Sequence, residues 1–248
     1  MNRIVLPCGL ETFYRRAGLG KCILLLHGWG GNSDSFGPVF NLLSKYADVI
    51  CPDFWGMGRS PAPPEPFGTD DYADAVKEFL DVLGVEKASV IRHSFGGRTA
   101  VSLAARTGHL IDKTVLIDSA GLKPRLTLKR RLKVLRFKLL KRLNPGSRKL
   151  AEYGSADYKK LDENMKKTFV KVVNGDQTEQ AKRMRSETLI VWGAKDKDTP
   201  LWMGKKLNKL IAGSGLVVFE NAGHFSYLDD FPKFAAVIKN FFGFDKSC

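Results

Sequence analysis

Short apolar runs alternate with stretches of helical periodicity over the first half of the chain. Residues 70–85 begin with an acidic turn and end near a glycine, which indicates a helix, and a second helix is expected from Phe95 to about Thr107. The apolar runs are typical of strands buried on both faces of a sheet. These runs are KCILLLHG (21–28), ADVICPDF (47–54), KASVIR (87–92) and KTVLIDSAG (113–121). The alternation predicts a doubly wound, mostly parallel α/β sheet.

The alternation stops after Gly121 and resumes at residue 187. The stretch PRLTLKRRLKVLRFKLLKRLNPG predicts a strongly basic amphipathic helix, and residues 157–173 and 178–185 read as further helices with no strand among them. One face of the basic helix carries Leu128, Leu132, Leu135, Leu139 and Leu143. Strand and helix patterns return in ETLIVWG (187–193), Met203 to Leu210, LVVFENAG (216–223) and residues 231–242. The chain is therefore divided into a core in two parts, 1–121 and 187–248, and an all-helical insert, 122–186.

Composition and length limit the class of protein. At 248 residues the chain can form one sizeable α/β domain, and 44% hydrophobic with 27% charged residues is a globular mixture that excludes disorder. The four cysteines show no metal-binding or disulfide spacing, so buried free thiols are expected. The N-terminus lacks the apolar stretch of a signal peptide, and no run reaches the roughly 18 apolar residues of a membrane span. These features predict a cytoplasmic protein.

The chain carries a net charge of +14, and this excess lies in one region. Residues 121–186 hold 20 of the 40 Lys and Arg but 6 of the 26 Asp and Glu, so the rest of the chain has 20 of each and is neutral. Three interpretations stay open: an ordinary solvated helix face, a surface that attracts anionic substrates or an acidic carrier protein, and a surface that lies on an anionic membrane. No nucleic-acid reader motif accompanies the charge, so nucleic acid is not an expected partner. The residues expected to act are Lys129, Arg130, Lys133, Arg136 and Lys138.

Three residues that follow predicted strands could form a catalytic relay. Ser94 lies between a strand and a helix in VIRHSFGG, and a serine needs a base and an orienting carboxylate to become a nucleophile. Asp196 and Asp198 follow the strand ETLIVWG, and His224 follows LVVFENAG. Because the carboxyl ends of parallel strands share one edge of the sheet, Ser94, one of these aspartates and His224 can converge there.

Backbone N–H groups that could stabilise an oxyanion are expected in two places. HGWGG (27–31) follows an apolar strand, and its glycines allow close approach of the backbone to a substrate. We assign the donors to the N–H groups of Trp29 and Phe95, the second of which begins a helix. Four aromatic residues near these loops are expected to line the substrate pocket: Trp29, Phe54, Trp55 and Phe95.

Five motifs in this order resemble the α/β-hydrolase superfamily. They are LLLHGWGGNSDSF, PDFWGMGRS, HSFGGR, the aspartate of GAKDKDTP and the histidine of NAGHF, and they cover the chain outside the insert. Gly193, Asp196 and Pro200 match the family's GxxDxxxP pattern, which favours Asp196 over Asp198 as the orienting acid. The insert lies where the family places its cap domain. The resemblance implies a serine hydrolase with Ser94, Asp196 and His224 as its catalytic triad, an acyl-enzyme intermediate, and neither cofactor nor metal.

The residue two before the serine departs from the family pattern GxSxG. The family has a small residue there, whereas this chain has Arg92, whose side chain must reach water or push strand and helix apart. A tolerated variant, an inactivating change and an artefact of the sequence are three open interpretations, so activity is in doubt. We predict that Arg92→Gly raises stability.

The expected function is hydrolysis of a carboxylic ester or thioester, with a preference for anionic substrates as one interpretation of the basic insert. Hydrolysis of a carbon–carbon or amide bond by the same triad is the first alternative. A catalytically impaired protein whose insert binds an acidic partner is the second.

Overall fold

The computed structural model describes residues 1–123, 128–144, 147 and 156–246. The predicted insert is therefore described in part. Among its residues singled out above, the side chains of Leu128, Lys129, Arg130 and Lys133 lie outside the described part of the chain.

The described residues form one eight-stranded sheet with the order β1-β2-β4-β3-β5-β6-β7-β8. β2 pairs antiparallel with β1 and β4, and all other neighbours are parallel. The strands are β1 Asn2–Val5, β2 Glu11–Ala17, β3 Cys22–Leu26, β4 Asp48–Pro52, β5 Ala88–His93, β6 Ile111–Ile117, β7 Glu187–Gly193 and β8 Gly215–Phe219. The doubly wound, mostly parallel sheet is confirmed, and the antiparallel hairpin β1–β2 is an addition that the hydrophobic pattern did not indicate.

Helices connect the strands and cover the sheet. Those of the core are α1 Gly37–Leu43, α2 Thr69–Val82, α3 Phe95–Arg106, α8 Trp202–Leu210, α9 Ser226–Asp229 and α10 Phe231–Phe242. Between β6 and β7, the described residues form α4 Leu128–Leu143, α5 Ala156–Lys160, α6 Glu163–Asn174 and α7 Thr178–Arg183. No described helix has the length and apolar character needed to cross a membrane.

The central strands are buried on both faces because their alternate side chains enter two separate cores. Leu24, Leu26 and Val90 pack in the core that also contains residues of α2 and α3. Ile23, Leu25 and Ile91 pack on the other face against α1 and α10. Period-2 alternation in a strand that is apolar throughout produces this division.

The order of the strands reverses next to β3, which lies between β4 and β5. In an open α/β sheet, the crevice at the carboxyl ends of strands on either side of such a reversal is the usual binding place. The loop that contains His27 and Trp29 leaves β3, and Ser94 follows β5. Two motifs that are far apart in sequence are therefore neighbours at one edge.

Helix α6 of the insert is held on the core by hydrogen bonds to the loop before α2. The Asn164 side chain donates to the Pro63 carbonyl at 2.6 Å, the Phe67 amide donates to Thr168 Oγ1 at 3.0 Å, and Lys171 donates to the Pro66 carbonyl. Below α6, Gln177 donates to the Arg98 carbonyl at 2.6 Å. These bonds join the C-terminal part of the insert to the loop before α2 and to α3, the helix that follows Ser94.

Candidate active site

Ser94 stands on a strained turn between β5 and α3. Its φ of 49° and ψ of −112° are unusual for a residue with a side chain, and strain of this kind is concentrated at functional sites. The turn brings the backbone round sharply at the end of the strand, and the Ser94 side chain keeps part of its surface exposed. A strand–serine–helix turn with this geometry presents the hydroxyl at the edge of the sheet.

The structure brings Ser94, His224 and Asp196 into one chain of hydrogen bonds. His224 Nε2 lies 2.9 Å from Ser94 Oγ, and His224 Nδ1 lies 2.8 Å from Asp196 Oδ2. Asp198 is exposed and is not in this chain of bonds; its amide donates to Asp196 Oδ1 at 2.8 Å. When a hydroxyl, an imidazole and a carboxylate are hydrogen-bonded in this order, the imidazole can accept the serine proton and the carboxylate can stabilise the imidazolium that forms.

The surroundings adjust the pKa values of the acid and the base in opposite directions. Burial alone would raise the pKa of Asp196, but hydrogen bonds from His224 and Thr199 outweigh it and hold that pKa below its usual range. Burial would lower the pKa of His224, but its bond to Asp196 and the attraction of that carboxylate raise it above its ordinary value. Asp196 is thus ionised, and His224 has the strength of a general base.

Two backbone amides near Ser94 are available to a ligand. Phe95 is the first residue of α3, so its N–H has no intrahelical acceptor. Within the described residues, neither its N–H nor that of Trp29 donates to a protein acceptor. A β-carbon at Gly28 would lie 3.4 Å from Ser94 Cβ and 2.9 Å from His93 Nδ1, so this loop approaches the serine as closely as a glycine allows.

Asp118, which the sequence did not single out, connects the loops that carry Asp196 and His224. It follows β6, has a φ of 44° and is fully buried. Its carboxylate accepts from the amides of Gly193 at 2.8 Å and Ser226 at 3.0 Å. Burial raises its pKa to about 6, against the opposing effect of these bonds. The signal available in the sequence was its position, directly after a buried strand at the same edge of the sheet.

Two further histidines support the site. His93 is buried, and its Nε2 lies 2.6 Å from the His224 carbonyl, to which it donates. Burial, with the neighbouring His224 adding to it, lowers the His93 pKa to about 3, so this ring is neutral. Burial also lowers the His27 pKa to about 4; His27 Nδ1 lies 2.7 Å from the Gly28 carbonyl and Nε2 accepts from the Phe54 amide. Both histidines fix loops.

The predicted aromatic residues differ in where they lie. The rings of Trp29, Phe95 and Phe54 form edge-to-face contacts, with centroids 5.3 Å apart for the first pair and 5.1 Å for the second. Trp29 is half-exposed, whereas Phe54 is fully buried beneath it. Trp55 lies in the core, where its indole N–H donates to Thr12 Oγ1 at 3.0 Å on β2. Phe95 is buried as well, so Trp29 is the one of the four predicted residues that exposes surface here, and the pocket-lining role of the other three stays a prediction.

A residue of the insert, missed by the sequence analysis, completes the aromatic wall. Phe169 on α6 packs against Trp29 with ring centroids 5.1 Å apart. Met165, one turn earlier on α6, packs directly on Gly56. Helix α6 therefore contacts the loop that carries the Trp29 amide and the loop after β4 that contains Gly56.

Arg92 is entirely buried in β5. Its Nη2 lies 3.5 Å from Thr114 Oγ1, and Nε and Nη1 have no partner within the described residues. Burial lowers its pKa to about 9. The side chain does not reach water, and the hydrogen bonds between Ser94, His224 and Asp196 are formed with it in place.

One group of side chains in residues 1–123, 128–144 and 156–246 could gather metal-ligand atoms within 4.8 Å of one another. It consists of Asp196, Asp198 and His224. Both oxygens of Asp196 already accept hydrogen bonds, from Thr199 and His224 among others. Two of the three groups that a metal would need, Asp196 and His224, are therefore already engaged in the relay.

Known proteins that are similar to this chain identify its family. The family model for the alpha/beta hydrolase fold matches residues 21–144, half of the chain. The 2-hydroxy-6-oxo-2,4-heptadienoate hydrolase of Pseudomonas putida is 24% identical over 97% of this chain and 96% of its own length. A meta-cleavage product hydrolase from Pseudomonas fluorescens superposes with a TM-score of 0.76 at 24% identity, covering 98% of this chain and 97% of that one. An esterase from Exiguobacterium antarcticum gives 0.78 at 23% identity, covering 97% and 98%. The chain belongs to the α/β-hydrolase superfamily.

Proposed function

We propose that this protein is a serine hydrolase that cleaves a carboxylic ester or thioester through an acyl-enzyme. The hydrogen-bonded sequence Ser94–His224–Asp196, with spacings of 2.9 and 2.8 Å, carries the proposal. The position of Ser94 on a strained strand-to-helix turn adds to it.

The proposed reaction has two halves. Ser94 Oγ attacks the carbonyl carbon while His224 Nε2 accepts its proton, and the N–H groups of Trp29 and Phe95 donate to the oxyanion. His224 then returns the proton to the leaving alcohol or thiol, and the acyl group stays on Ser94. A water molecule, deprotonated by His224, attacks the acyl carbonyl and releases the acid. Asp196 keeps Nδ1 protonated throughout.

The basic insert supports a preference for anionic substrates. Arg136, Lys138 and Arg142 are exposed on α4, and the rest of the chain is electrically balanced. A localised positive field raises the local concentration of anions and the rate of their capture. The name of the Pseudomonas putida relative describes a substrate that is itself a carboxylate.

A second candidate is hydrolysis of a carbon–carbon bond beside a ketone. Two relatives are named as hydrolases of 2-hydroxy-6-oxo-2,4-heptadienoate and of 2-hydroxymuconate semialdehyde, and they match 97% of this chain at 24% and 26% identity. Here the group that leaves is a carbon atom, which must be protonated as the bond breaks. The relay would start the reaction as it does for an ester.

Covalent labelling separates an enzyme from an impaired binding protein. We expect a fluorophosphonate to label the protein at Ser94, with labelling abolished in Ser94→Ala and reduced at least 100-fold in rate in His224→Ala. Ser44→Ala, a serine on the surface after α1, is the matched control and should label as the parent does. No labelling of a folded sample would leave the second alternative, a protein that binds without turnover.

A substrate panel then separates the bond types. Nitrophenyl esters, an acyl thioester and a 2-hydroxy-6-oxo-dienoate should be compared by kcat/KM in the parent and in Ser94→Ala. Turnover of the esters or thioester above the dienoate supports the first proposal. A dienoate turned over at least 100-fold faster than any ester would replace it by the carbon–carbon hydrolase.

A further inference from the structure

Helix α4 has an unusual composition. Its 16 residues, LKRRLKVLRFKLLKRL, are eight Lys or Arg and eight apolar residues, without an acidic or neutral polar one. At about 100° per residue, Leu128, Leu132, Leu135, Leu139 and Leu143 fall within an arc of about 80°. These five residues are called the leucine stripe below.

The described part of the leucine stripe points to solvent. Its four described side chains are largely exposed: Leu132 60%, Leu135 62%, Leu139 55% and Leu143 73%. Phe137 and Leu140, which lie away from the stripe on the helix, are half-buried. The most regular apolar face of the helix is thus the one that the described residues leave exposed, a pattern that marks an interaction site.

Cations border the stripe along both edges. By helical position, Arg136 follows one edge of the stripe and Arg142 the other, and both side chains are exposed. An apolar face about 24 Å long with basic residues on its flanks is the pattern of a helix that lies in the plane of a membrane interface. The acyl boundary accepts the leucines, and anionic headgroups accept the basic residues.

The charge argues against a second copy of the chain as the occupant. Two α4 helices placed face to face would bring sixteen cations together, from eight on each, with no acidic side chain on either helix to balance them. The occupant must instead be both apolar and anionic. A continuous surface of anionic phospholipid satisfies both requirements along the whole length of the helix.

We propose that α4 is a membrane-docking helix that lays the leucine stripe into the surface of an anionic phospholipid bilayer. The proposal does not rest on the catalytic assignment, because it concerns a surface that the relay does not include. Docking is peripheral and reversible, since a single amphipathic helix binds by partial burial and charge attraction.

Vesicle co-sedimentation tests the proposal. Vesicles of equimolar phosphatidylcholine and phosphatidylglycerol should bind the protein, and vesicles of phosphatidylcholine alone should not. Replacing three of the five leucines of the stripe by alanine (Leu132→Ala, Leu135→Ala, Leu139→Ala) keeps every charge and favours the helix, and should weaken binding at least tenfold. Leu19→Ala, at an 89% exposed leucine outside the insert, is the matched control and should bind as the parent does.

A charge variant tests the contribution of the basic residues to binding. Arg136→Gln, Lys138→Gln and Arg142→Gln together should also weaken binding at least tenfold, while the same change at the exposed lysines Lys45, Lys205 and Lys209 should have less than a threefold effect. Ser94→Ala should bind vesicles as the parent does, which distinguishes docking from recognition of lipid as a substrate.

Three results would overturn the proposal. The first is no binding to the anionic vesicles at low salt, and the second is undiminished binding by the alanine variant of the stripe, which would reduce the contact to charge alone. The third is capture of acyl carrier protein, a small acidic protein, by the parent in the absence of vesicle binding, which would assign the surface to an acidic protein partner instead. Circular dichroism of each variant verifies that the helix and strand content of the parent is retained.

Discussion

Arg92 places a cation in the middle of the sheet, and no described residue offers it an anionic partner. Two of its three guanidinium nitrogens have no hydrogen-bond partner within the described residues, and the third is 3.5 Å from Thr114 Oγ1. An unpaired buried charge is strongly unfavourable, and the lowered pKa, about 9, expresses the same penalty. The fold tolerates this residue at the expense of stability.

Removing the charge of Arg92 should therefore stabilise the protein. Arg92→Met keeps most of the side-chain volume and should raise the free energy of unfolding by about 1 to 4 kcal/mol. Arg92→Gly should also raise it, by less, because it leaves a cavity. Urea denaturation with an unchanged m-value is the measurement. A midpoint that stays the same or falls in Arg92→Met would show that the guanidinium has partners in solution.

The pKa of His224 should set the acidic limb of the activity profile. Only the neutral imidazole can accept the Ser94 proton, and its bond to Asp196 raises the His224 pKa above the ordinary 6.5. The logarithm of kcat/KM should thus rise with pH through a pKa above that value. In Asp196→Asn this limb should move to lower pH and the maximum should fall by about 10³- to 10⁴-fold.

Asp198→Asn provides the control for this profile. Asp198 is exposed and contributes least among the carboxylates that raise the His224 pKa. Its variant should retain the parent profile within a factor of about 3 in rate. An acidic limb that does not move in Asp196→Asn would assign the pH dependence to another group.

Among the elements, the loops after β6, β7 and β8 are joined to one another by hydrogen bonds. Asp118, after β6, accepts from Gly193 at the end of β7 and from Ser226 just beyond His224. Thr199 Oγ1 lies 2.9 Å from the Asp118 carbonyl and 2.6 Å from Asp196 Oδ2. The three strands are neighbours in the sheet, so bonds between their loops fix the acid and the base relative to each other.

The strongly apolar strands and the order of their loops could be predicted from the sequence. A strand that is buried on both faces needs apolar residues throughout, and β3 and β4 therefore appear as continuous apolar runs in the sequence. The edge strands β1 and β2 were missed since they are largely half-exposed or exposed and carry charged residues. Convergence of Ser94, Asp196 and His224 followed from the shared edge of a parallel sheet.

Other features depend on tertiary packing that periodicity does not encode. Trp55 follows a strand like its neighbour Phe54, yet its ring turns towards Thr12. Nothing in the spacing of His93 indicates its bond to the His224 carbonyl, which bridges residues that lie 131 positions apart. The leucine stripe was visible in the sequence, but a helical period shows which side chains share a face and not whether that face is covered.

At the scale of the whole molecule, the excess positive charge and the candidate catalytic residues lie in different parts of the chain. The core that carries Ser94, Asp196 and His224 has as many basic as acidic residues, and the insert holds the entire excess of +14. Exposed charges act over about 10 Å at moderate ionic strength, so a field confined to the insert is felt by approaching solutes more than by the buried relay. It should change capture of a substrate and leave the chemical step unaltered.

The salt dependence of catalysis should reveal this division. For a soluble ester with a carboxylate, kcat/KM should fall at least threefold from low to high salt, while kcat and the kcat/KM of a neutral ester of the same shape stay level. We expect the salt dependence of kcat/KM to become weaker in the triple variant Arg136→Gln, Lys138→Gln and Arg142→Gln. It should be unchanged when the exposed lysines Lys45, Lys205 and Lys209 are replaced by Gln. Assays carried out without lipid separate this effect of charge on substrate capture from membrane docking. Equal salt responses in both triple variants would mean that the field of α4 does not reach the path of the substrate, and the insert would then act on surfaces alone.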